Sequence, residues 1–139
     1  MVLQIVKYFS FVILFPLLIS CAVKPIVKEK QIITNSITKI GESHKIIISK
    51  IISDSRCPEG LTCIWAGEVE LVLLIYKEDV FYKEIPLTIN FKNFPENKLL
   101  LEKYTSNKKI RSIEVFPIKK QGVAISLKDY LLKIDYVNN

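Results

Sequence analysis

The cysteine and histidine residues, which are few, limit the chemistry available to this chain. The sequence of 139 residues holds three cysteines, Cys21, Cys57 and Cys63, and a single histidine, His44. A structural zinc site normally needs four ligands with closely spaced cysteine pairs, whereas Cys57 and Cys63 are six positions apart. The chain also lacks a G-x-S-x-G motif and a glycine-rich phosphate-binding loop. We therefore expect no metal, no other cofactor and no enzymatic activity.

The first 20 residues have the composition of an export signal. They contain 15 apolar residues and one charge, Lys7. The apolar run at residues 8–19 is shorter than the roughly 20 residues that a membrane-spanning helix needs, and Pro16 breaks it. Its length is that of a signal-peptide core.

Residues 18–21 read Leu-Ile-Ser-Cys and resemble the bacterial lipobox. The resemblance implies diacylglycerol transfer to Cys21, cleavage before it and acylation of its new amino group. Two or more acyl chains hold a protein stably on a membrane. Because Ala22 rather than an aspartate follows, the resemblance favours an outer-membrane lipoprotein that faces the periplasm.

With Cys21 used for the lipid, Cys57 and Cys63 remain as a pair. An exported chain meets oxidising conditions, which favour a disulfide between them. Pro58 and Gly60 lie between the two cysteines, and both residue types favour turns. We expect a disulfide that closes a short loop and stabilises the fold by about 2–3 kcal/mol.

The loop belongs to the most distinctive segment of the chain, residues 54–67. Asp54 and Arg56 are two positions apart, so in an extended stretch they share a face and can form an ion pair. Arg56 could instead stack on Trp65, the only tryptophan. As a structural clasp, the segment would bury Trp65 near the disulfide. As a binding site, it would expose Arg56, Trp65 and Glu68 at an edge. The sequence favours the clasp and keeps the binding site as the alternative.

This segment resembles the motif D-S-R-C-P-x4-C-x-W-x-G, which occurs in a group of small bacterial envelope lipoproteins. The matching residues are Asp54, Ser55, Arg56, Cys57, Pro58, Cys63, Trp65 and Gly67. The match covers 14 residues of the chain. The resemblance implies a class of protein and a location in the envelope, and it implies no activity.

The rest of the chain is rich in isoleucine, valine, tyrosine and phenylalanine, which favour strands. Strands are predicted at residues 31–40, 45–53, 68–76, 80–90, 98–104, 110–116 and 127–137. No helix is expected. We predict a signal peptide at residues 1–20, a tether at residues 21–30 and a single domain at residues 31–139. That domain should be an antiparallel β-sandwich of six or seven strands, with a small open barrel as the alternative.

The net charge of +6 comes from 20 basic residues scattered among 14 acidic ones. The densest basic group, around Lys108 and Lys109, lacks the aromatic interleaving of a nucleic-acid-binding surface. We expect a non-enzymatic binding or structural module on a lipid anchor, with an envelope protein or polymer as its partner. One alternative is an inhibitor or immunity-like protein that binds a partner through the loop between Cys57 and Cys63. The least favoured is a hydrolase of envelope polymers that uses Glu68 and Glu70 as paired carboxylates.

Overall fold

The computed structural model of this protein describes residues 29–106 and 108–137. These residues form two antiparallel sheets. The described part of the chain holds seven strands, which are β1 (Lys30–Ile33), β2 (Thr38–Ile40), β3 (His44–Asp54), β4 (Val69–Lys77), β5 (Val80–Ile89), β6 (Ile110–Phe116) and β7 (Leu131–Tyr136). One sheet has the order β1-β7-β6 and the other the order β2-β3-β4-β5. The predicted antiparallel β-sandwich is confirmed. The predicted signal peptide, Cys21 and nearly all of the predicted tether lie outside the described residues.

The core lies between the two sheets and follows the alternation of apolar residues in the central strands. In β4, which lies between β3 and β5, Val69, Leu71, Leu73 and Ile75 are fully buried. The facing strand β7 contributes Tyr130, Leu132, Ile134 and Tyr136 at and beside its own alternating positions. Each large apolar side chain buried in this way contributes about 1.5–3 kcal/mol to folding.

Strand β3 departs from simple alternation at two bulges. The pairing with β4 shifts between Ile48 and Lys50 and again between Ile51 and Ser53. Each shift changes which face the following residues occupy, because side chains alternate with a period of two. As a result, Ile51 packs against the core, whereas Ile52 is exposed.

One helix replaces a predicted strand. The prediction of a strand at residues 98–104 and of no helix was wrong, because α1 spans Phe94–Glu102. Pro95 lies in the first helical turn, where its missing N–H is tolerated, and Glu96 in the same turn is favourable to the helix dipole. Leu101 is buried in the core while Leu99 is exposed, which is the pattern of a helix with one apolar face.

The sandwich has two ends, and they are distinguished by the residues that meet there. At one end, which we call the loop end, Asp54 at the close of β3 pairs with Val69 at the start of β4. At the other, which we call the Glu29 end, Glu29 precedes β1 where β7 finishes and β6 begins. A hydrogen bond of 2.9 Å from the backbone N–H of Glu42 to Ser106 Oγ joins the two sheets at this second end.

Candidate binding site

The loop at residues 55–68 connects β3 to β4 and continues their pairing beyond the four-stranded sheet. The N–H of Ser55 donates to the carbonyl of Glu68, and the N–H of Cys57 donates to the carbonyl of Ala66, each over 2.9 Å. These bonds continue the β3–β4 ladder beyond the ends of the two strands. The base of the loop is therefore held in the geometry of the sheet.

A disulfide closes the outer part of the loop. Cys57 and Cys63 are joined with an S–S distance of 2.08 Å and a Cα–Cα distance of 5.9 Å. The predicted disulfide is confirmed. It encloses Pro58 and Gly60, so the ring contains both turn-forming residues seen in the sequence.

Gly67 allows the two sides of the loop base to approach closely. Its φ of +72° lies in the left-handed region, and a Cβ at this position would lie 2.0 Å from the carbonyl oxygen of Ser55. No residue with a side chain fits without moving the backbone. The left-handed backbone at Gly67 therefore lets the two sides of the loop base lie in direct contact.

Asp54 and Arg56 form the ion pair that their spacing allowed. The Nε and Nη2 atoms of Arg56 donate to the two carboxylate oxygens of Asp54 over 2.9 and 2.7 Å. Arg56 Nη1 donates to the carbonyl of Val115 in β6 over 2.7 Å, and the Tyr130 hydroxyl donates to Asp54 over 2.9 Å. From here on, the clasp means Asp54, Arg56, Val115 and Tyr130, which join the end of β3 to the opposite sheet. Unlike the clasp expected from the sequence, it does not include Trp65.

The clasp carries its charges at neutral pH because the surrounding groups stabilise them. Burial alone raises the pKa of Asp54, but hydrogen bonds from Arg56 and Tyr130 outweigh burial and hold the pKa below its ordinary value of 3.8. Burial and the bond to Asp54 raise the pKa of Tyr130 to about 12. Asp54 is therefore ionised and the Tyr130 phenol protonated at neutral pH, which is the state that this hydrogen-bond pattern requires.

The segment that follows β6 ties the loop to the rest of the molecule. The ammonium group of Lys119 donates to the carbonyl of Asp54, and the carbonyl of Lys119 accepts a hydrogen bond of 2.8 Å from the N–H of Glu59. Lys119 thus contacts the base of the loop on one side and its disulfide ring on the other. The loop is braced from the three-stranded sheet as well as from its own strands.

Trp65 is exposed, and the expectation that it would be buried near the disulfide was wrong. Its side chain is 78% exposed, and the preceding Ile64 is fully exposed. Buried Val69 and Tyr130 already fill the core at this end. Residues 60–65, which we call the tip, are all exposed. Arg56 does not stack on Trp65, since its guanidinium group binds Asp54 and Val115.

A cleft of about 240 Å³ runs beside Trp65. It is lined by Ser55, Trp65, Ala66, Gly67, Glu68, Asn90, Phe91 and Lys92. The Phe91 side chain is 77% exposed, so two aromatic rings border the cleft. Glu68 Oε2 accepts a hydrogen bond of 2.7 Å from Asn90 Nδ2, and Asn90 Oδ1 accepts one of the same length from the N–H of Asn93.

The four candidate residues fall into two groups. Asp54 and Arg56 meet in the clasp, whereas Trp65 and Glu68 meet in the cleft. The second carboxylate considered in the sequence, Glu70, accepts a hydrogen bond of 3.0 Å from Ser53 on the neighbouring strand. Sequence analysis missed the residues that distant parts of the chain contribute to these two groups. They are Asn90, Phe91, Lys92, Val115 and Tyr130.

No family model, curated protein or solved structure matches this chain. Within residues 29–106 and 108–137, no helix has the length and apolar character needed to cross a bilayer. In that same part of the chain, no three histidine, cysteine, aspartate or glutamate side chains lie together as a metal site would need. The site must therefore be interpreted from its own geometry.

Proposed function

We propose that this protein is a non-enzymatic binding module of the bacterial cell envelope, anchored by lipid on Cys21. The resemblance of residues 18–21 to a lipobox and that of residues 54–67 to envelope lipoproteins support the location. The observation that carries the binding role is a firmly held loop that exposes Ile64 and Trp65 to solvent.

The firmness of the loop favours binding because it lowers the cost of ordering the contact. The disulfide, the extended ladder and the clasp fix the loop before any ligand arrives. A preorganised loop loses less conformational entropy on association than a flexible one. Tryptophan is also among the side chains that contribute most to binding when a ligand covers them.

The position of the loop also fits a tethered binding module. The chain leads from Cys21 into the sandwich at Glu29, and the loop lies at the opposite end. Strand β7, which joins the two ends, spans roughly 17 Å at about 3.3 Å per residue. Because the loop and Glu29 lie at opposite ends of the sandwich, this arrangement supports a loop that stays open to ligands while Cys21 carries the lipid.

Intact mass of the protein extracted from native membranes tests the anchor. We expect a chain that begins at Cys21 with added acyl mass, and reduction should add two hydrogens at Cys57 and Cys63. An intact leader, or an unmodified Cys21, would contradict the lipid anchor. A mass unchanged by reduction would contradict the disulfide.

Fluorescence of Trp65 tests the exposed contact surface, because the chain has one tryptophan. We expect red-shifted emission that acrylamide quenches readily in the purified protein. Addition of the correct envelope component should shift the emission to the blue and reduce quenching. Blue-shifted, quencher-resistant emission in the unliganded protein would contradict the solvent exposure of Trp65.

A second candidate function is inhibition of a protein partner by insertion of the disulfide ring. The observation that favours it is the apolar tip, where Leu61 and Ile64 are exposed on the bridged loop. Ile64→Ser should then weaken capture of that partner by about tenfold, the effect of losing roughly 1.4 kcal/mol of contact. Val80→Ser is the matched control, because Val80 is exposed beside the β4–β5 turn at the Glu29 end. Equal capture by both variants would exclude the tip as the contact.

A further inference from the structure

The cleft beside Trp65 combines apolar walls with a small set of polar groups. Trp65 and Phe91 line the cleft, and both are largely exposed. Glu68, Asn90 and Lys92 supply the polar atoms of the same cleft. A ligand that fits must therefore be apolar on its faces and rich in hydrogen-bonding groups at its edge.

The polar groups of the cleft are arranged as an acceptor beside a donor. Asn90 Nδ2 uses one of its two N–H groups on Glu68 Oε2, over 2.7 Å. The amide keeps a second N–H, and the Glu68 carboxylate keeps further acceptor positions. Adjacent donor and acceptor positions match two neighbouring hydroxyl groups, one of which accepts while the other donates.

This pair is held in place before any ligand binds. Asn90 Oδ1 accepts a hydrogen bond from the N–H of Asn93, which fixes the orientation of the amide. The N–H of Glu68 donates to Ser55 Oγ over 3.0 Å, which fixes the backbone that carries the carboxylate. The geometry presented to a ligand is thus set by the loop base and by the start of α1.

Charge and size narrow the class of ligand. Glu68 and Lys92 line the same cleft with opposite charges. A cation in the cleft would therefore be repelled by Lys92, and an anion would be repelled by Glu68. A neutral ligand with hydroxyl groups can bond to both without either repulsion. The volume of about 240 Å³ is below the 300 Å³ or more of a typical drug-sized site, which suits one ring rather than several.

We infer that the cleft binds a single neutral sugar ring, presented as one unit of an envelope glycan. The C–H faces of the ring would pack on Trp65 and Phe91, and two neighbouring hydroxyls would bond to Glu68 and Asn90. This inference rests on the proposed binding function and names the class of ligand that the cleft takes.

The test titrates the protein as it is extracted from native membranes in detergent, with methyl glycosides of glucose, galactose, mannose and N-acetylglucosamine. Arginine methyl ester and inorganic phosphate serve as charged probes. We expect at least one glycoside to change Trp65 fluorescence and saturate in the millimolar range, while the two charged probes do not compete. Tighter binding of either charged probe would overturn the sugar inference in favour of a basic or an acidic ligand.

Variants locate the binding within the cleft. Phe91→Ala and Glu68→Gln should each weaken glycoside affinity by about tenfold, the effect of one lost stacking face or charged hydrogen bond. Phe81→Ala is the matched control, since Phe81 is an exposed phenylalanine near the β4–β5 turn at the Glu29 end. Unchanged affinity in both cleft variants, with melting equal to that of the parent, would overturn the inference.

The outcomes separate this inference from the proposed function. Failure of every glycoside to bind a chain that is acylated on Cys21 overturns the cleft inference and leaves the anchor standing. Glycoside binding by a chain with an unmodified Cys21 supports the cleft and overturns the lipid anchor.

Discussion

The base and the tip of residues 54–67 differ in almost every physical property, although they belong to one short motif. At the base, the side chains of Asp54 and Arg56 are only 9% and 19% exposed and are paired with each other. At the tip, Ile64 and Trp65 are apolar and lie in water. The base thus holds charge away from solvent, and the tip holds apolar surface in it. This difference indicates that the base positions the loop and that the tip is available for contact.

The two glycines of the loop give the sharpest test of this comparison. At the base, Gly67→Ala combines left-handed backbone strain with a clash against the Ser55 carbonyl. We expect a loss of about 4 kcal/mol in the free energy of unfolding, measured by urea denaturation. At the tip, Gly60 also has a positive φ, but a Cβ there would meet no atom within 4 Å. Gly60→Ala should therefore cost only about 1 kcal/mol. Equal losses would break the distinction between base and tip.

Removal of the Asp54 carboxylate should have the next largest effect. Asp54→Ala leaves Arg56 and the Tyr130 hydroxyl without their shared partner, so we expect a loss of about 3 kcal/mol. Glu114→Ala is the control, because Glu114 forms a more exposed ion pair with Lys133 over 3.0 Å. That exposed pair should contribute little to the free energy of unfolding. A loss no larger than the control's, in chemical denaturation, would contradict a structural role for the clasp.

The disulfide should contribute less than the clasp, because it closes a short loop. Cys57→Ser combined with Cys63→Ser should lower the free energy of unfolding by about 2 kcal/mol, through greater freedom of the unfolded chain. We expect the Asp54–Arg56 pair to persist, because its hydrogen bonds do not involve either cysteine. Hydrogen exchange can check this. Loss of protection at the Arg56 amide, which donates to Asp54, would show that the disulfide also holds the base.

Low pH should reduce the stability that Asp54 contributes at the base of the loop. Since the pKa of folded Asp54 lies below 3.8, its carboxylate stabilises the fold fully above that value. This contribution is lost as the pH falls through the folded pKa. The stability difference between the parent and Asp54→Asn should therefore shrink as the pH is lowered from neutral to about 3. A difference that stays constant over this range would show that ionisation of Asp54 does not stabilise the fold.

The smallest effect on stability is expected at the tip. Ile64→Ser should change the free energy of unfolding by less than about 0.5 kcal/mol, because the Ile64 side chain is fully exposed. Thermal melting of Ile64→Ser and Gly67→Ala in the same assay compares the smallest expected effect, at the tip, with the largest, at the base. A large loss in Ile64→Ser would mean that the tip packs against the protein, and would count against its role as a contact surface.

Most of the sheet could be predicted because its strands carry their pattern locally. The alternation of Val69, Leu71, Leu73 and Ile75 is enough to identify β4 and its buried face. Helix α1 was missed because residues 98–104 were predicted to form a strand. The signal that identifies it is Pro95 followed by Glu96, a favourable pair for the first turn of a helix.

The site was predicted only in part, because some of its contacts join residues that are close in sequence and others join residues that are far apart. The spacing of Asp54 and Arg56 was enough to suggest their pairing, because residues two apart in an extended stretch share a face. The third partner of the clasp, the carbonyl of Val115, lies 59 positions away from Arg56. Only the packing of one sheet on the other brings that carbonyl within hydrogen-bond distance.

The sequence by itself determined the class of fold and the disulfide, and it offered the Asp54–Arg56 pair as one of two arrangements for Arg56. Each of these depends on residues that are close together or on a pattern that repeats with the period of a strand. The tertiary structure decided that Trp65 faces solvent, that Phe91 borders the same cleft and that the loop lies opposite Glu29. Exposure depends on how much of the core distant strands have already filled, and a local segment carries no record of that.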